Sequence, residues 1–560
     1  MSRISFCALG GLGENGKNMY VLEVDGKIFI LDAGLKNPSF DLYGIDAVIP
    51  DITHLLENKE RIQGIFLSHG HDDFIGAVPE LLKEINVGVF GTHFTISLVE
   101  HALREAGMNI ADYRLYRINH NKVLKFGNIT VQFYSTSHSV PESLGIAVKT
   151  PDGALVYAPD FTFASNTDPH YQTSFGNMIE IAKDGVLALF SESLGAGNIG
   201  RAANDYQLIY AVNEILQNSK RVIFSMFSTE LQRIQKIINL CVQNKRRIAI
   251  IGKKAQKTIN IAISEGYLHI PQENFVNLKY MTEDNRNDNG DLAVIVTGIR
   301  HEPYYTLQRM CKGVDRLIEI KEEDNIIIIS QPTTGIEIMA QKTTSLLHRL
   351  NAKVTVIPKS MLMSSHADSE DLKMLYSIMK PTYVVPIIGE YRHQVMQKQI
   401  AMEAGFQEEN IIMLENGVKI TFESGKLLQD RDKIQSGDVL VDGSFVGDIN
   451  EIVLKDREML AQDGLILVVT SVDARLKKVV AGPTVEMKGF VVGDTAEEVS
   501  RAVRALTEEI IDSYFEKRYI DWTNLKNKLK EAITKEVLKL THKNPIIMVS
   551  LIDVESNRKE

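Results

Sequence analysis

Apolar and polar positions alternate in short runs over the first two hundred residues. Residues 18–24 and 27–31 are rich in apolar and β-branched side chains, and the Asp25-Gly26 pair between them is typical of a hairpin turn. From about residue 205 the spacing changes to alternating strands and helices. The pattern therefore predicts a strand-rich first region, followed by a unit in which helices cover a parallel sheet.

The second half of the chain returns to short apolar strands, at 353–358 and 382–388. Residues 435–449 are rich in Gly and Asp, which indicates a domain boundary. The last hundred residues contain three strand-like runs, two amphipathic helices and a closing strand, so they predict a compact α+β domain. Thr495 and Glu498 form a predicted capping box for the first of these helices.

The composition agrees with a globular protein: of 560 residues, 44% are apolar and 24% are charged. No apolar run approaches the roughly 18 residues that a membrane-spanning helix needs. The N-terminus lacks the apolar core of a signal peptide, and the three cysteines are widely spaced. We therefore expect a protein of the reducing cytoplasm, with no membrane partner.

The net charge of −10 argues against a nucleic-acid partner, but one segment reverses the sign. Residues 220–257 contain ten Lys or Arg and a single acid, Glu230. This segment either binds phosphate groups or forms a solvated helical face that acids elsewhere neutralise. The sequence does not separate these two alternatives.

A glycine motif near the N-terminus is a poor indicator of function. Gly11, Gly13 and Gly16 match the G-x-G-x-x-G pattern of dinucleotide-binding sites. In those sites the motif opens a helix whose N-terminus receives the pyrophosphate, whereas residues 19–24 alternate like a strand. We expect a tight turn here and no nucleotide site.

The segment Ser68-His69-Gly70-His71-Asp72-Asp73 carries the strongest chemical signal. His69, His71 and Asp73 alternate directly after the apolar run 65–67. Nitrogen and oxygen donors at the end of a strand can converge on one cation, and a bound divalent ion activates water for hydrolysis. The pattern predicts a hydrolytic metal site.

Three further polar residues each follow an apolar run. His138 comes after 129–134, and Asp160 and Asp32 come after comparable runs. A polar side chain at the point where a buried strand ends is presented to a cleft. These residues are candidates to join the metal site.

These motifs are similar to those of the ribonuclease J family, in which a metallo-β-lactamase fold carries an inserted β-CASP domain. The similarity extends nearly end to end, over 10–18, 31–34, 69–73, His138, 160–161, 191–192, 364–366, 389–392 and the C-terminal domain. It implies an α/β fold with four ranges: a metallo-β-lactamase αββα sandwich in two parts, 1–204 and 353–448, a β-CASP domain at 205–352, and a linker with the C-terminal α+β domain at 449–560.

The resemblance also implies roles for individual residues. A first metal ion, zinc or manganese, would be held by His69, His71, His138 and Asp160. The implied catalytic residues are Asp73, which would also serve a second ion, Glu192 and His366. Asp32 would support the ligands without binding an ion.

Two positions depart from the family pattern. Phe74 stands where the family has the last histidine of H-x-H-x-D-H, and Ile388 stands where it has a histidine before Gly-Glu. An apolar side chain has no lone pair to donate, so Asp73 and Asp160 alone would remain for the second ion. We therefore expect that second site to be weak or absent.

The implied substrate-binding residues also differ from the family pattern. They are Ser364, Ser365 and His366, and Ser365 replaces a glycine where backbone approaches a phosphate. Arg300 either binds phosphate as a compensating ligand or faces solvent.

These losses are similar to those of the second, degenerate-site ribonuclease J paralogue of Gram-positive bacteria. The implied function is metal-dependent ribonuclease activity of low rate, acting 5′-to-3′ on 5′-monophosphorylated RNA and also internally, in the maturation and decay of rRNA and mRNA. The alternative is a catalytically silent, RNA-binding structural partner of an active sister ribonuclease J. Both interpretations predict homo-oligomers, dimeric or tetrameric, and hetero-oligomers with the sister.

Overall fold

The computed structural model describes residues 2–39, 42–165, 167–198, 205–252, 256–281, 290–333, 335–443, 445–447, 449, 451–517 and 519–554. The chain forms two compact units, the first made of 1–37 and 48–439 and the second of 38–47 and 440–560. Residues 204 and 448, where two predicted boundaries fall, lie outside the described residues. The four predicted domain ranges stay predictions.

The first unit contains a nine-stranded sheet whose central strands are buried along almost their whole length. In spatial order its strands are Lys426–Leu427, Val418–Glu423, Arg3–Gly10, Met19–Val24, Lys27–Leu31, Ile62–Phe66, Val89–Gly91 and Leu115–Arg117, with Asp432–Lys433 also paired to Val418–Glu423. The strands near the N-terminus are antiparallel, whereas Lys27–Leu31 and the strands beyond it are parallel.

A six-stranded sheet packs against this first sheet. Its order is Tyr383–Ile387, Val186–Glu192, Gly153–Ala158, Leu144–Thr150, Ile129–Ser135 and Val123–Phe126. Phe6 of the first sheet stacks on Phe190 of the second with ring centroids 3.9 Å apart, and Tyr20 lies 5.5 Å from Tyr157. Helices pack on the outer face of the six-stranded sheet. The predicted metallo-β-lactamase sandwich is confirmed.

A five-stranded sheet forms the inserted part of the first unit. Its strands are all parallel, in the order Arg247–Ile251, Leu292–Gly298, Val222–Phe227, Asn325–Ile328 and Lys353–Val356. Neighbouring residues of one strand, Ile223 and Phe224, belong to two different hydrophobic cores on opposite faces. Both faces are therefore covered, which explains why these strands are continuous apolar runs.

The second unit contains a three-stranded sheet. Leu465–Asp473 lies in the centre, antiparallel to Lys478–Lys488 and parallel to Ile546–Asp553. The helices Asp494–Phe515 and Trp522–Thr541 share a core with this sheet. The predicted α+β domain is confirmed.

The predicted capping box of the second unit is wrong. Gly493 caps the helix that Thr495 and Glu498 were expected to cap, so Thr495 is already a helical residue. Gly493 has a φ of 68°, a conformation that glycine adopts without steric cost, and the helix therefore begins at Asp494, before the threonine.

The remaining elements are short. Three small strands are Ala47–Pro50, Asp438–Asp442 and Phe445–Val446. The other helices that the structure describes are Thr53–Glu57, Asp72–Ile75, Val78–Glu84, His93–Glu105, Phe175–Ala182, Tyr206–Asn218, Leu231–Gln243, Gln256–Ser264, Glu302–Cys311, Glu337–Arg349, Ser369–Met379, Tyr391–Glu403 and Glu451–Asp463. Among the described residues, no helix has the length and apolar character needed to cross a membrane.

The glycine motif forms a turn, as predicted. Gly11, Gly13 and Gly16 have φ values of 92°, 69° and 100°, and a strand, Met19–Val24, follows them. A side chain at Gly11 would place its Cβ 2.4 Å from Asn18 Oδ1, so only glycine fits there.

The basic segment 220–257 is largely paired within the fold. Its cations contact acids that are distant in sequence: Lys220 with Glu323, Arg221 with Asp324, Lys236 with Asp205, Arg247 with Asp291 and Lys257 with Glu105. Arg233 pairs with Glu230, and Arg246 donates hydrogen bonds to backbone carbonyls. Lys253 and Lys254 lie outside the described residues. The structure thus favours neutralisation by other acids over a phosphate-binding patch.

Candidate metal centre

The candidate ligands lie where strands of the two packed sheets end. His69 and His71 follow the strand Ile62–Phe66 of the first sheet. His138 follows Ile129–Ser135 and Asp160 follows Gly153–Ala158, both in the second sheet. The sandwich therefore brings together residues that are up to 91 positions apart in sequence.

Four of these side chains converge on one point. His71 Nδ1 lies 3.1 Å from His69 Nε2 and 3.2 Å from His138 Nε2. Asp160 Oδ2 lies 3.8 Å and 3.6 Å from the same nitrogens of His69 and His138. Zn–N bonds of 2.0–2.1 Å in a tetrahedral shell separate two ligand nitrogens by about 3.3 Å. The four donor atoms, the set that the family resemblance implies, have the spacing of ligands around one ion.

The second ring nitrogen of each histidine is also held. His69 Nδ1 lies 3.0 Å from Ser68 Oγ, and His71 Nε2 lies 3.3 Å from the Thr229 carbonyl oxygen. His138 Nδ1 donates to the Ser365 carbonyl oxygen at 2.8 Å. Such contacts fix the ring orientation and leave the other nitrogen free to bind a cation.

Burial keeps the three imidazoles neutral. It lowers the pKa of His69 well below its usual value, lowers that of His71 and lowers that of His138 to about 3. A neutral imidazole is the form that binds a metal ion. This site is therefore ready to bind an ion at neutral pH without first losing protons.

Asp32 lies behind the ligands rather than among them. It is completely buried and accepts hydrogen bonds from Ser68 N at 2.7 Å, Ser68 Oγ at 2.8 Å and Tyr157 Oη at 2.7 Å. Burial raises its pKa to about 7. Because Ser68 Oγ also contacts His69, the carboxylate of Asp32 fixes that ligand through one intervening hydroxyl.

A second group of donors adjoins the first. His366 Nδ1 lies 2.9 Å from Glu192 Oε2 and 3.5 Å from Asp160 Oδ1. Glu192 Oε1 accepts hydrogen bonds from Phe161 N and Ala367 N, at 2.8 Å and 3.0 Å. Burial raises the pKa of Glu192 to about 7. Burial alone would lower the pKa of His366, but the charges of Asp160 and Glu192 outweigh it and raise that pKa well above its usual value.

Asp73 is set apart from both groups. Among the described residues it belongs to neither set of converging donors, although it lines the same cleft. Burial, together with the charge of Asp160, raises its pKa to about 8.

The two positions that depart from the family pattern are buried and apolar. Phe74 is completely buried, with its ring centroid 4.1 Å from that of His69. Ile388 is 1% exposed, and its carbonyl oxygen accepts hydrogen bonds from Ser193 N at 3.2 Å and Ser193 Oγ at 2.6 Å. Neither side chain offers a donor to an ion near Asp73.

Four family models match successive parts of the chain. They are "Beta-lactamase superfamily domain" at residues 35–178, "Ribonuclease J, beta-CASP domain" at 219–347, "Zn-dependent metallo-hydrolase RNA specificity domain" at 353–413 and "Ribonuclease J C-terminal domain" at 452–554.

Relatives match almost the whole chain. Ribonuclease J2 of Bacillus subtilis (strain 168) is 35% identical over 552 residues, which cover 98% of this chain and 99% of the relative. Ribonuclease J 2 of Staphylococcus epidermidis (strain ATCC 35984) is 34% identical, with 98% of each chain covered. The chain belongs to the ribonuclease J family. One matching family model is that of a Zn-dependent metallo-hydrolase RNA specificity domain, and the His and Asp group described above could hold a metal ion.

A solved structure shares the fold of this ribonuclease J family member. A protein of unknown function from Enterococcus faecalis V583 aligns with a TM-score of 0.52 at 15% identity, over 75% of this chain and 100% of that one. At this identity the likeness shows the fold alone.

In this ribonuclease J family chain two of the candidate ligands, His71 and Asp160, line a cleft of about 590 Å³. Residues of both the sandwich and the inserted sheet line it, among them His366, Arg300 and Lys359. Arg300 is half-buried in this wall, and burial lowers its pKa. Arg300 therefore lines the same cleft as His71 and Asp160.

The two expected substrate-binding serines have partners within the protein. Ser364 Oγ donates to the His366 carbonyl oxygen at 2.7 Å and accepts from His366 N at 3.1 Å. Ser365 Oγ lies 3.3 Å from Glu230 Oε1. Ser364 thus shapes the backbone around His366, and Ser365 links that backbone to the inserted sheet.

Sequence reasoning missed three groups at the site. Tyr157 donates to Asp32, the Thr229 carbonyl holds His71, and Glu230 lines the cleft. A tyrosine within a fully buried strand signals a hydroxyl that needs a partner, so Tyr157 was open to prediction. The Thr229 carbonyl belongs to the backbone, and Glu230 is an acid within a basic segment, so the side-chain pattern gives no sign that either lies at the site.

Proposed function

We propose that this chain is a ribonuclease of weakened activity that degrades 5′-monophosphorylated RNA in the 5′-to-3′ direction and also cuts internally, in the maturation and decay of rRNA and mRNA. The observation that carries the proposal is the convergence of His69, His71, His138 and Asp160, two of which, His71 and Asp160, line a cleft of about 590 Å³. Three neutral imidazoles and one carboxylate suit zinc or manganese.

The donor set fits a divalent ion, which, when bound, acts as a Lewis acid and lowers the pKa of water. Asp73 lines the cleft and is positioned to accept a proton from an attacking water molecule. His366, held by Glu192 at 2.9 Å, can donate to a phosphate oxygen or protonate the leaving oxygen. Arg300 brings positive charge to the cleft wall, where it offsets charge on the phosphate.

Weakened activity follows from the two apolar positions. The geometry of the intact ligand group supports binding of the first ion. Phe74 and Ile388, by contrast, supply no lone pair for a second ion that Asp73 would bind. A two-metal clamp that stabilises both the attacking and the leaving oxygen is therefore incomplete at that place.

The same two residues favour a second candidate function, that of a silent partner. In this proposal the chain binds RNA and assembles with itself, as dimer or tetramer, and with an active sister ribonuclease J in the cytoplasm. The retained ligand group would then hold a structural ion. Light scattering of the chain alone and mixed with the sister tests the assembly.

Degradation of RNA separates the two functions. Wild-type protein and His71→Ala, purified identically, are incubated in manganese with one RNA that carries either a 5′-monophosphate or a 5′-triphosphate. The enzyme proposal predicts slow loss of the monophosphorylated RNA with the wild type and none with the variant. Equal rates for both proteins would refute the enzyme proposal and leave the partner function.

A further inference from the structure

Asp160 faces two groups with its two oxygens. Oδ2 lies among the histidines of the first group, 3.6 Å from His138 Nε2. Oδ1 points the other way, 3.5 Å from His366 Nδ1, and within the described residues it makes no hydrogen bond. The side chain is only 3% exposed, so water does not satisfy this oxygen from outside. The one charged group beside this oxygen is the His366 imidazole, which makes no hydrogen bond to it, so a cation held closer would lower the cost of burying the oxygen.

Two further donors face this oxygen. Glu192 Oε2 and His366 Nδ1 are 2.9 Å apart, and both lie within 4.8 Å of a ligand atom of Asp160. Donor atoms around a zinc or manganese ion are separated by about 3 Å, because metal–ligand bonds are close to 2.1 Å. The three donors already have nearly the spacing of three ligands of one ion.

The hydrogen bond between Glu192 and His366 does not by itself explain the arrangement. That bond pairs one oxygen of Glu192, and the other oxygen is paired by Phe161 N and Ala367 N. Asp160 Oδ1 has only the His366 ring beside it, at 3.5 Å. An ion bound here would replace the proton that His366 Nδ1 shares with the two carboxylates, so its binding would release that proton. His366 is 36% exposed and lines the cleft, so an ion has a path to this position.

We propose that this chain binds a second divalent cation between Asp160, Glu192 and His366, with Asp160 bridging the two ions. The place beside Asp73 is less suitable, because Phe74 and Ile388, which stand at the two family histidine positions, offer no donor and, among the described residues, Asp73 belongs to neither converging group. Bridged metal pairs lie about 3.5–4 Å apart, which is the reach of one carboxylate. This inference rests on the proposed first metal site and not on RNA hydrolysis.

Metal counting tests the proposal. Zinc is titrated into metal-free full-length protein by calorimetry, and bound zinc is counted after dialysis. The proposal predicts two ions per wild-type chain, one in Glu192→Gln and two in Asp73→Asn, the matched carboxylate control. Gln keeps an oxygen for the two backbone amides and replaces the ligating oxygen by an amide nitrogen. A count of one in the wild type, or loss of the second ion only in Asp73→Asn, would overturn it.

Anomalous diffraction from wild-type crystals grown with manganese gives the answer without any variant. Two peaks are expected, one among His69, His71 and His138 and one between Glu192 and His366. A second peak at Asp73, or no second peak, would refute the proposal. The result is independent of the RNA assay, so a protein with both ions that does not cleave RNA would contradict the proposed function alone.

Discussion

The phenyl ring of Phe74 packs against the imidazole ring of His69, with ring centroids 4.1 Å apart and ring planes inclined by 47°. Phe74 is the third residue of the short helix Asp72–Ile75, which begins directly after His71. His69 is thus held both by this ring contact and by Ser68 Oγ, 3.0 Å from its Nδ1. An ion beside Asp73 would therefore meet a hydrocarbon ring where it needs a donor.

Restoring donors at the two apolar positions should raise activity. We expect Phe74→His combined with Ile388→His to increase the rate on 5′-monophosphorylated RNA at saturating manganese by at least about tenfold, equivalent to about 1.4 kcal/mol of activation free energy. The reason is a cation held beside Asp73, where the wild type lacks donors, which would stabilise charge that develops on the phosphate. Initial rates of the double variant and the wild type provide the measurement.

The matched control is Phe74→Leu with Ile388→Val, which changes packing at both positions and adds no donor. It should not exceed the wild-type rate. If the double histidine variant is no faster than wild type at saturating metal, the missing donors are not what limits the rate.

The candidate metal ligands could be predicted because the sequence pattern that marks them lies within a few residues of each one. His69, His71, His138 and Asp160 each follow an apolar run directly, and the ends of adjacent strands share one edge of a sandwich. Periodicity gave the strand-rich first region, the parallel-sheet unit and the C-terminal α+β domain, whereas the αββα sandwich was implied only by the family resemblance. Continuous apolar runs indicated the parallel sheet, since both of its faces are covered.

The contacts that complete the site were not predictable. The Ser365 carbonyl that holds His138 is 227 residues away from it, and the Thr229 carbonyl that holds His71 is 158 residues away. A backbone carbonyl leaves no trace in the side-chain pattern. The basic segment was ambiguous for a related reason, because acids about a hundred positions away, such as Glu323 and Asp324, neutralise Lys220 and Arg221.

Metal removal should destabilise the first unit. A ligand present at 100 times its dissociation constant stabilises a protein by about 2.7 kcal/mol. We therefore expect a chelator to lower the Tm of the wild type measurably and to lower that of His71→Ala much less. Thermal unfolding followed by circular dichroism, with and without chelator, provides the test. Equal shifts for the two proteins would mean that His71 holds no ion.

Asp32→Asn should weaken the site without touching an ion. The amide nitrogen of Asn would face a donor, Ser68 Oγ or Tyr157 Oη, where the carboxylate now accepts. We expect a loss of about 1–3 kcal/mol in the free energy of unfolding and a metal affinity lower by about 10–100-fold. Calorimetric zinc titration and urea unfolding measure the two effects.

The control for Asp32 is Tyr157→Phe, which removes one of its three hydrogen bonds and leaves the carboxylate in place. Its effect on zinc affinity should be smaller than that of Asp32→Asn. An Asn variant with unchanged zinc affinity would show that the link through Ser68 to His69 does not govern the ligand.

Asp205 should make stability depend on acid pH through a contact far from the metal centre. It is 5% exposed, lies 2.7 Å from Lys236 Nζ and accepts a hydrogen bond from Met363 N at 3.1 Å. Burial alone would raise its pKa, but Lys236 and Arg233 lower it below the usual value. The carboxylate therefore ties the beginning of the inserted sheet's first helix to the segment that returns from the insertion.

Because its folded pKa is depressed, Asp205 contributes stability that is fully present above the unfolded pKa of about 3.9 and is lost as the pH falls through the folded pKa. We expect Asp205→Asn to be less stable than wild type at pH 7, by about 1–3 kcal/mol, because Lys236 loses its partner. The difference should begin to shrink below about pH 4, where the carboxyl of the unfolded chain takes up a proton, and should disappear once the pH is below the folded pKa, where the native carboxylate is protonated as well. Urea unfolding of both proteins at pH 7 and near pH 3 checks this, and a difference that stays constant between the two would show that the charge of Asp205 is not what stabilises the contact.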